Sequence, residues 1–154
     1  MGKVVYGEGS WEKGIQVIEE NSAKFGLNMD SIMIGDGSGM SHVNMIPSNE
    51  ITGLLVAVQK EPWYGSFLNS LPVAGNSERF VGGSLRNRMK NEPASGNVKA
   101  KTGSLTAVSA LSGYAKTREG ELLVFSILIN NDLAAVTPIE DQIATVIANY
   151  TKVN

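Results

Sequence analysis

Hydrophobic residues change their spacing near the middle of this chain, and the change divides the predicted elements into two groups. In the first group, apolar residues recur every three or four positions after Ser10 and again after Pro47, which is the spacing of amphipathic helices. The pattern predicts helices over 10–25 and 48–60, a short helix opened by Pro62, another short helix near 84–90, and a short strand at 32–34.

After Pro93 the pattern becomes typical of strands. The segment 98–102 and the Ser/Thr/Val/Ala-rich segment 105–116 are predicted strands, and the nearly continuous apolar run 122–129 predicts a third strand buried on both faces. Pro138 opens a final helix whose apolar residues share one side: Ile139, Ile143, Val146, Ile147 and Tyr150. Helices followed by a run of strands indicate an α+β fold, with an antiparallel sheet of three consecutive C-terminal strands and helices packed on it.

Composition narrows the class of protein. The 154 residues predict one domain over 1–154, and the apolar share of 42% with 18% charged residues is that of a globular protein. A net charge of −2 gives no electrostatic case for a nucleic-acid partner. With no Cys and a single His, neither a metal nor another cofactor is predicted. No apolar run is long enough to span a membrane, and the first residues lack the apolar core of a signal peptide, so we expect any export signal to lie elsewhere than on this chain.

One short segment contains the residue types of a serine hydrolase. Asp36, Ser38, Ser41 and His42 fall within seven residues, whereas a catalytic triad is assembled from separate elements. We therefore interpret His42 as a loop residue and keep an independent hydrolase using Ser38 and His42 as the least favoured alternative.

A more specific candidate lies on the first predicted strand. In Lys101-Thr102-Gly103-Ser104, the Lys supplies a fixed positive charge, the Thr hydroxyl can donate to a carboxylate, and Gly lets a ligand backbone approach the strand. The next backbone N–H can then point at a developing oxyanion. The plainer alternative is an exposed basic strand that ends in a turn. Because side chains alternate along a strand, Lys101 and Thr102 should face opposite sides unless a twist or bulge at Gly103 brings them together.

Three separated segments resemble one family. Asp36-Gly37-Ser38-Gly39-Met40-Ser41, Leu71-Pro72-Val73-Ala74-Gly75 and Ala100-Lys101-Thr102-Gly103-Ser104 occur in this order. Together they resemble the C-terminal part of the D-alanyl-D-alanine carboxypeptidases among the low-molecular-mass penicillin-binding proteins, in the class C, S13-peptidase branch that also includes DD-endopeptidases. The resemblance runs from about Gly7 to Tyr150 and implies part of a transpeptidase-like, serine β-lactamase-like fold.

The resemblance also implies a mechanism, which is acyl transfer through a covalent serine ester. The family pattern combines Ser-x-x-Lys, Ser-x-Asn and Lys-Thr-Gly motifs. It implies that Lys101 is a catalytic residue that supplies charge, that Thr102 supplies a hydroxyl to the substrate's terminal carboxylate, that Gly103 gives backbone clearance, and that the Ser104 N–H forms half of an oxyanion hole.

The first two motifs of the family lie upstream of the region matched here. Ser10-Trp11-Glu12-Lys13 and Ser95-Gly96-Asn97 have the right letters, but we interpret Ser10 as a helix cap and Ser95-Gly96-Asn97 as a loop directly ahead of the Lys-Thr-Gly strand. The chain is therefore expected to be the C-terminal portion of a longer domain, to lack the nucleophile, and to be inactive alone.

Partners and location follow only from the resemblance. It implies a peptidoglycan peptide or a β-lactam as ligand of the complete enzyme, in the extracytoplasmic cell envelope. A separate N-terminal fragment or a second copy of the chain is a further expected partner, since the apolar run 122–129 would be left uncovered without the upstream strands. The competing hypothesis is a non-catalytic binding or partner-completing module.

Overall fold

The computed structural model describes residues 1–131 and 134–152, and its backbone divides into two units, Met1–Lys60 and Glu61–Asn154. The first unit contains three α-helices and two short 3-10 helices: α1 (Gly2–Tyr6), α2 (Trp11–Lys24), Met29–Ser31, α3 (Ser48–Ala57) and Val58–Lys60. Among its described residues, the second unit contains three further helices, one 3-10 helix and three strands: α4 (Tyr64–Ser70), α5 (Arg79–Gly82), Gly83–Leu85, β1 (Lys99–Leu105), β2 (Val108–Lys116), β3 (Leu122–Asn130) and α6 (Thr137–Ala148).

The two long helices of the first unit are confirmed. The Ser10 hydroxyl accepts a hydrogen bond from the backbone N–H of Lys13 at 3.4 Å, as an N-cap does, and α2 ends just before Gly26, whose φ of 81° suits glycine. The helix predicted over 48–60 is present as α3 continued by a 3-10 turn. The strand predicted at 32–34 is wrong in extent, because only a single bridge forms there, with Met33 and Met45 exchanging hydrogen bonds of 2.8 and 2.9 Å.

The short helix predicted near 84–90 lies earlier in the chain, as α5 and the 3-10 helix that follows it. Met89 has a φ of 50°, which a helix does not allow, so the apolar pair Leu85 and Met89 cannot belong to one helical turn. The helix opened by Pro62 begins at Tyr64, with Trp63 as its N-cap.

The sheet has the predicted antiparallel order β1-β2-β3. In the register between β1 and β2, the paired residues run from Lys99 opposite Tyr114 to Leu105 opposite Val108. A turn at Gly120, with a φ of 85°, connects β2 to β3. The prediction that β3 is buried on both faces is wrong, since Phe125 is the only residue of this strand in the buried class. The strand lies at the border of the described sheet, and apart from Phe125 its residues are half-buried on both faces or, at its two ends, exposed.

Helix α6 forms where Pro138 predicts it, but it buries a different side from the one its apolar residues indicate. The buried residues against the core are Glu140, Ala144 and Ala148. Of the five predicted residues, Ile147 packs against the core, whereas Ile139, Ile143, Val146 and Tyr150 are 40–70% exposed. Small alanine side chains let the helix approach β2 closely, and this packing decides the orientation. The core of the second unit comprises these alanines and the following residues: Ala74, Leu85, Ala94, Val98, Ala100, Leu111, Ala115 and Phe125.

Candidate active-site edge

The outer edge of β1 is covered along its first part only. The N–H of Ala74 donates to the Val98 carbonyl at 2.9 Å, and the N–H of Ala100 donates to the Pro72 carbonyl at 3.0 Å. Val73 forms a bridge with Lys99 between these two bonds. Past Ala100, no backbone segment of the described chain pairs with this edge, so residues 101–105 present an open strand edge.

Backbone alternation fixes which groups point out of that edge. Since the Ala100 N–H points away from β2, the N–H and C=O groups of Thr102 and Ser104 point the same way. The Ser104 N–H therefore faces open space at the edge, as an oxyanion donor must. A cavity of about 430 Å³ lies beside Ser104 and extends to Thr137 at the start of α6.

Lys101 and Thr102 lie on opposite faces of the sheet, as alternation requires. Lys101 is opposite Ser112 and Thr102 is opposite the buried Leu111. The expected bulge at Gly103 is absent, because this residue pairs in regular register with Ala110.

Contacts from the two faces nevertheless converge on Thr102 at the open edge. The Lys101 ammonium donates to the Thr102 carbonyl oxygen at 2.6 Å, and that oxygen is one of the groups that point outward. From the other face, Thr102 Oγ1 donates to Ser84 Oγ at 3.0 Å. A positive charge, two hydroxyls and a backbone N–H thus line one strand edge without any distortion of the strand.

Gly103 gives room on one face of the sheet. A Cβ at this position would approach Ala110 Cβ at 3.3 Å, which is tighter than an ordinary contact. A strand Cβ projects from the face of the sheet and not along its edge. The space left by the missing Cβ of Gly103 therefore lies on the sheet face that Lys101 shares.

A buried ionic network anchors the end of the β1–β2 hairpin to α6. Ser109, the register partner of Ser104, donates its hydroxyl proton to Glu140 Oε1 at 2.7 Å. Glu140 is 1% exposed, and its other oxygen accepts from Arg88 Nη2 at 2.9 Å. Arg88 Nε also donates to Asp141 at 2.8 Å. The network therefore ties Ser109, the β2 residue paired with Ser104, to α6.

Sequence reasoning missed this network and the Ser84 hydroxyl. The burial of Glu140 could have been predicted from its spacing. It lies four and eight positions before the core residues Ala144 and Ala148, on the same side of the helix. An acidic residue in such a stripe needs a buried partner. Nothing in the sequence indicates that the partners are Arg88 and Ser109.

The segment that contains Ser38 and His42 forms a hydrogen-bonded turn around Asp36 and not a catalytic triad. Asp36 accepts hydrogen bonds from Ser38 Oγ at 2.6 Å and from the Met40 N–H at 3.2 Å, and Asn44 bonds to the same carboxylate. The Ser38 and Asn44 hydrogen bonds hold the pKa of Asp36 below its usual range. Ser38 thus donates to Asp36, and no hydrogen bond to His42 occurs among the described residues.

The segment Ser95-Gly96-Asn97, which has the letters of a Ser-x-Asn motif, is also a structural element. The Asn97 side chain donates to the Lys116 carbonyl at 2.7 Å and accepts from the Lys116 N–H at 2.8 Å. Gly96 has a φ of 72°, as a tight turn requires. The Asn97 amide is therefore engaged with the end of β2. Over the described ranges, no cluster of three acidic or His side chains could hold a metal ion.

Comparison with known proteins identifies the family. The family model described as "D-Ala-D-Ala carboxypeptidase 3 (S13) family" matches residues 1–150. The chain belongs to this S13 family. Its relatives include a D-alanyl-D-alanine carboxypeptidase of Actinomadura sp. (strain R39), which is 41% identical over 97% of this chain, and the D-alanyl-D-alanine carboxypeptidase DacB of Haemophilus influenzae, which is 28% identical over 79%. The S13 chain spans 28% and 25% of the lengths of these relatives.

Solved structures agree with the S13 assignment. Penicillin-binding protein 4 (dacB) of Haemophilus influenzae, complexed with a novel β-lactam, superimposes with a TM-score of 0.83 at 25% identity. The match covers 97% of this chain and 36% of that protein. The Bd0816 predatory endopeptidase of Bdellovibrio bacteriovorus, at 21% identity and a TM-score of 0.67, shares the fold. The predicted α+β, penicillin-binding-like fold is therefore confirmed, and no helix in the described ranges is long and apolar enough to cross a membrane.

Proposed function

We propose that this S13 chain is the C-terminal portion of a serine-type D-Ala-D-Ala carboxypeptidase domain, and that Lys101 to Ser104 form one wall of its substrate cleft. The observation that carries the proposal is the open edge of β1, where the Lys101 ammonium and the Ser104 N–H lie beyond the last covered position, Ala100. Such an edge suits an enzyme that cleaves a peptide bond, because an extended substrate can pair with it as an added strand.

Each group then has a role in binding the end of a peptidoglycan stem peptide. The peptide backbone aligns along residues 102–104, and the Ser104 N–H donates to the scissile carbonyl, whose oxygen gains charge in the transition state. Lys101 supplies positive charge at the cleft and Thr102 contributes to the site for the terminal carboxylate. Gly103 keeps the Lys101 face of the strand free of side-chain bulk.

The nucleophile is proposed to come from another part of the longer protein. Both serine segments with motif letters are occupied structurally, Ser10 as a helix cap and Ser95-Gly96-Asn97 as a turn, and the relatives are several times longer than the matched region. Removal of the nucleophile from a triad-type serine enzyme reduces the rate by roughly 10⁶-fold, so this chain alone is expected not to turn over substrate. Its binding is expected to be weak, because the chain supplies one wall of the proposed cleft. The proposed substrates are D-Ala-D-Ala peptides and the proposed inhibitors are β-lactams, in keeping with the names of a curated relative and of a solved structure. The proposed location is the cell envelope.

The test is a binding titration of the ¹⁵N-labelled chain with N-acetyl-D-alanyl-D-alanine, followed by amide resonances of residues 101–104. We expect Lys101→Ala to weaken binding about fivefold or more, because a charge-assisted contact is lost. Lys99→Ala is the matched control, since Lys99 lies on the same face two positions earlier, where Val73 covers the edge. Equal losses from both variants would contradict the proposal.

Incubation with penicillin tests the missing nucleophile separately. Intact mass spectrometry is expected to show no covalent adduct on this chain. An adduct mapped to Ser10 would overturn the assignment of Ser10 as a cap and place the acyl step on the chain itself.

One observation favours a second candidate, a partner-completing module. The apolar residues Ile139, Ile143 and Val146 form an exposed stripe on α6, and the outer edge of β3 has no partner strand in the described chain. Both features fit an upstream polypeptide of the same protein, or a second copy of this chain. Co-expression with such an upstream polypeptide separates the candidates: restored acylation by penicillin supports the enzyme, whereas a stable inert complex supports the module.

A further inference from the structure

Ser84 is a hydroxyl at the open edge of β1 that no sequence motif indicates. It lies in the 3-10 helix Gly83–Leu85, is exposed, and accepts a hydrogen bond from Thr102 Oγ1 at 3.0 Å. The two hydroxyls are neighbours in space although they are 18 positions apart in the chain.

The direction of this hydrogen bond decides which hydroxyl is available to a ligand. A hydroxyl has one proton to donate, and the Thr102 proton is directed at Ser84. The Ser84 proton has no acceptor among the described residues. Ser84 is therefore the outer donor of the pair, and Thr102 polarises it by donating to its oxygen.

The position of Ser84 is fixed by its neighbours in the chain. Gly83 adopts a φ of 49°, with Pro72 so close that an added Cβ would lie 3.1 Å from the Pro72 ring. Leu85 is fully buried, and its carbonyl accepts from the Gly75 N–H at 3.1 Å. Pro72 itself pairs with Ala100 of β1. These contacts hold Ser84 at a set distance from the strand, so that its hydroxyl forms part of a preorganised edge.

We propose that Ser84 binds the terminal carboxylate of the substrate, with its hydroxyl donating to one carboxylate oxygen while Lys101 supplies the compensating charge. This inference rests on the proposed function and adds a substrate-binding residue to it. In this arrangement Thr102 acts on the carboxylate chiefly through Ser84, and the pair behaves as a single unit.

The experiment compares two ligands that differ only in the carboxylate. The ¹⁵N-labelled chain is titrated with N-acetyl-D-alanyl-D-alanine and with its C-terminal amide. Ser84→Ala is expected to lower the affinity for the acid about 5- to 10-fold, because a hydrogen bond to a charged group is lost, and to change the affinity for the amide less than about twofold. Ser84→Thr, which keeps the hydroxyl, is expected to retain the acid affinity within about twofold.

Ser70→Ala is the matched control, since Ser70 is also an exposed serine of this unit and donates to the Phe67 carbonyl at 2.7 Å. A combined Ser84→Ala/Thr102→Val variant is expected to lose little more than Ser84→Ala alone, because the two hydroxyls act as one unit. An unchanged acid affinity in Ser84→Ala, or equal losses for acid and amide, would overturn the inference while leaving the proposed function intact. A wild-type chain whose residues 101–104 respond to neither ligand would contradict the proposed function itself, and the role of Ser84 with it.

Discussion

Replacing Arg88 with Met tests whether the buried network holds the hairpin that carries Ser104. The Arg88 guanidinium bonds to Glu140 at 2.9 Å and to Asp141 at 2.7 Å. Met has a similar length and no charge, so Arg88→Met removes the positive partner and leaves the Glu140 carboxylate, which is 1% exposed, with Ser109 as its remaining donor.

The magnitude follows from the burial of the two partners. Removing one member of a buried ion pair costs about 3–5 kcal/mol, because the other charge stays desolvated. The Arg88 side chain is 15% exposed, so water reaches the vacated end, and we expect the lower end of that range, about 3 kcal/mol. With a slope of about 2 kcal/mol per molar urea, the unfolding midpoint falls by about 1.5 M.

The assay uses the two tryptophans, which lie in different units. In a Trp11→Phe background, Trp63 is the remaining tryptophan and reports urea unfolding of the second unit. Arg86→Met is the matched control, since Arg86 is exposed and makes only a 3.3 Å contact to the Gly83 carbonyl. We expect that control to stay within about 0.5 kcal/mol of the parent, as surface substitutions do.

A double variant sharpens the result. Arg88→Met combined with Glu140→Leu removes both charges, and replacing a buried pair by apolar residues is often neutral, so stability is expected to recover by about 2 kcal/mol or more. Arg88→Met and Arg86→Met with equal midpoints would refute the reasoning, since the buried carboxylate would then not depend on its partner.

Two further predictions concern other parts of the chain. Gly113→Ala is expected to destabilise the second unit by several kcal/mol in the same urea assay, because a Cβ there collides with the Lys99 carbonyl oxygen and lies 2.6 Å from Ala100 Cα, whereas Gly65→Ala, which meets open space in α4, is expected to be neutral or stabilising. The lowered pKa of Asp36 means that its stabilising contribution is present above its unfolded pKa of about 3.9 and is lost as the pH falls through the folded value. Amide resonances of the turn it binds should therefore stay constant from neutral pH down to about pH 4 and shift only below it, and a midpoint above about pH 4 would contradict the assignment.

Periodicity predicted the elements whose packing is simple. Helix α2 and helix α3 each have one apolar side and clear start signals, and the three strands are separated by turn residues, so the α+β order was predictable from local patterns. Local signals also placed Ser10 as a cap, which the hydrogen bond to Lys13 confirms.

Prediction failed where tertiary contacts outweighed the local pattern. On α6 most of the larger apolar side chains are exposed, because Ala144 and Ala148 allow a closer approach to the sheet and Glu140 finds a buried partner there. The run 122–129 contains enough apolar residues for two buried faces, yet its place at the border of the sheet depends on which strands pair with it, and composition does not specify pairing.

In the candidate site, too, the local motif could be predicted from the sequence, whereas its tertiary contacts could not. The motif Lys101 to Ser104 was visible in the sequence, but the way its groups converge was not, since alternation places Lys101 and Thr102 on opposite faces. In the structure the Lys101 ammonium reaches the outward Thr102 carbonyl from one face, and the Thr102 hydroxyl bonds to Ser84 on the other.

The position at which the edge becomes open explains why these residues can act together. A strand edge with unpaired backbone groups is a liability that most proteins cover, and the 72–74 segment covers β1 as far as Ala100. Its cover ends one residue before Lys101, so the unpaired N–H groups that remain are those of Thr102 and Ser104, beside a fixed positive charge. An extended peptide that ends in a carboxylate can satisfy those groups and that charge at once. An open edge of this composition therefore fits the proposed peptide carboxyl terminus better than a second sheet edge, which would bring no compensating negative charge to Lys101.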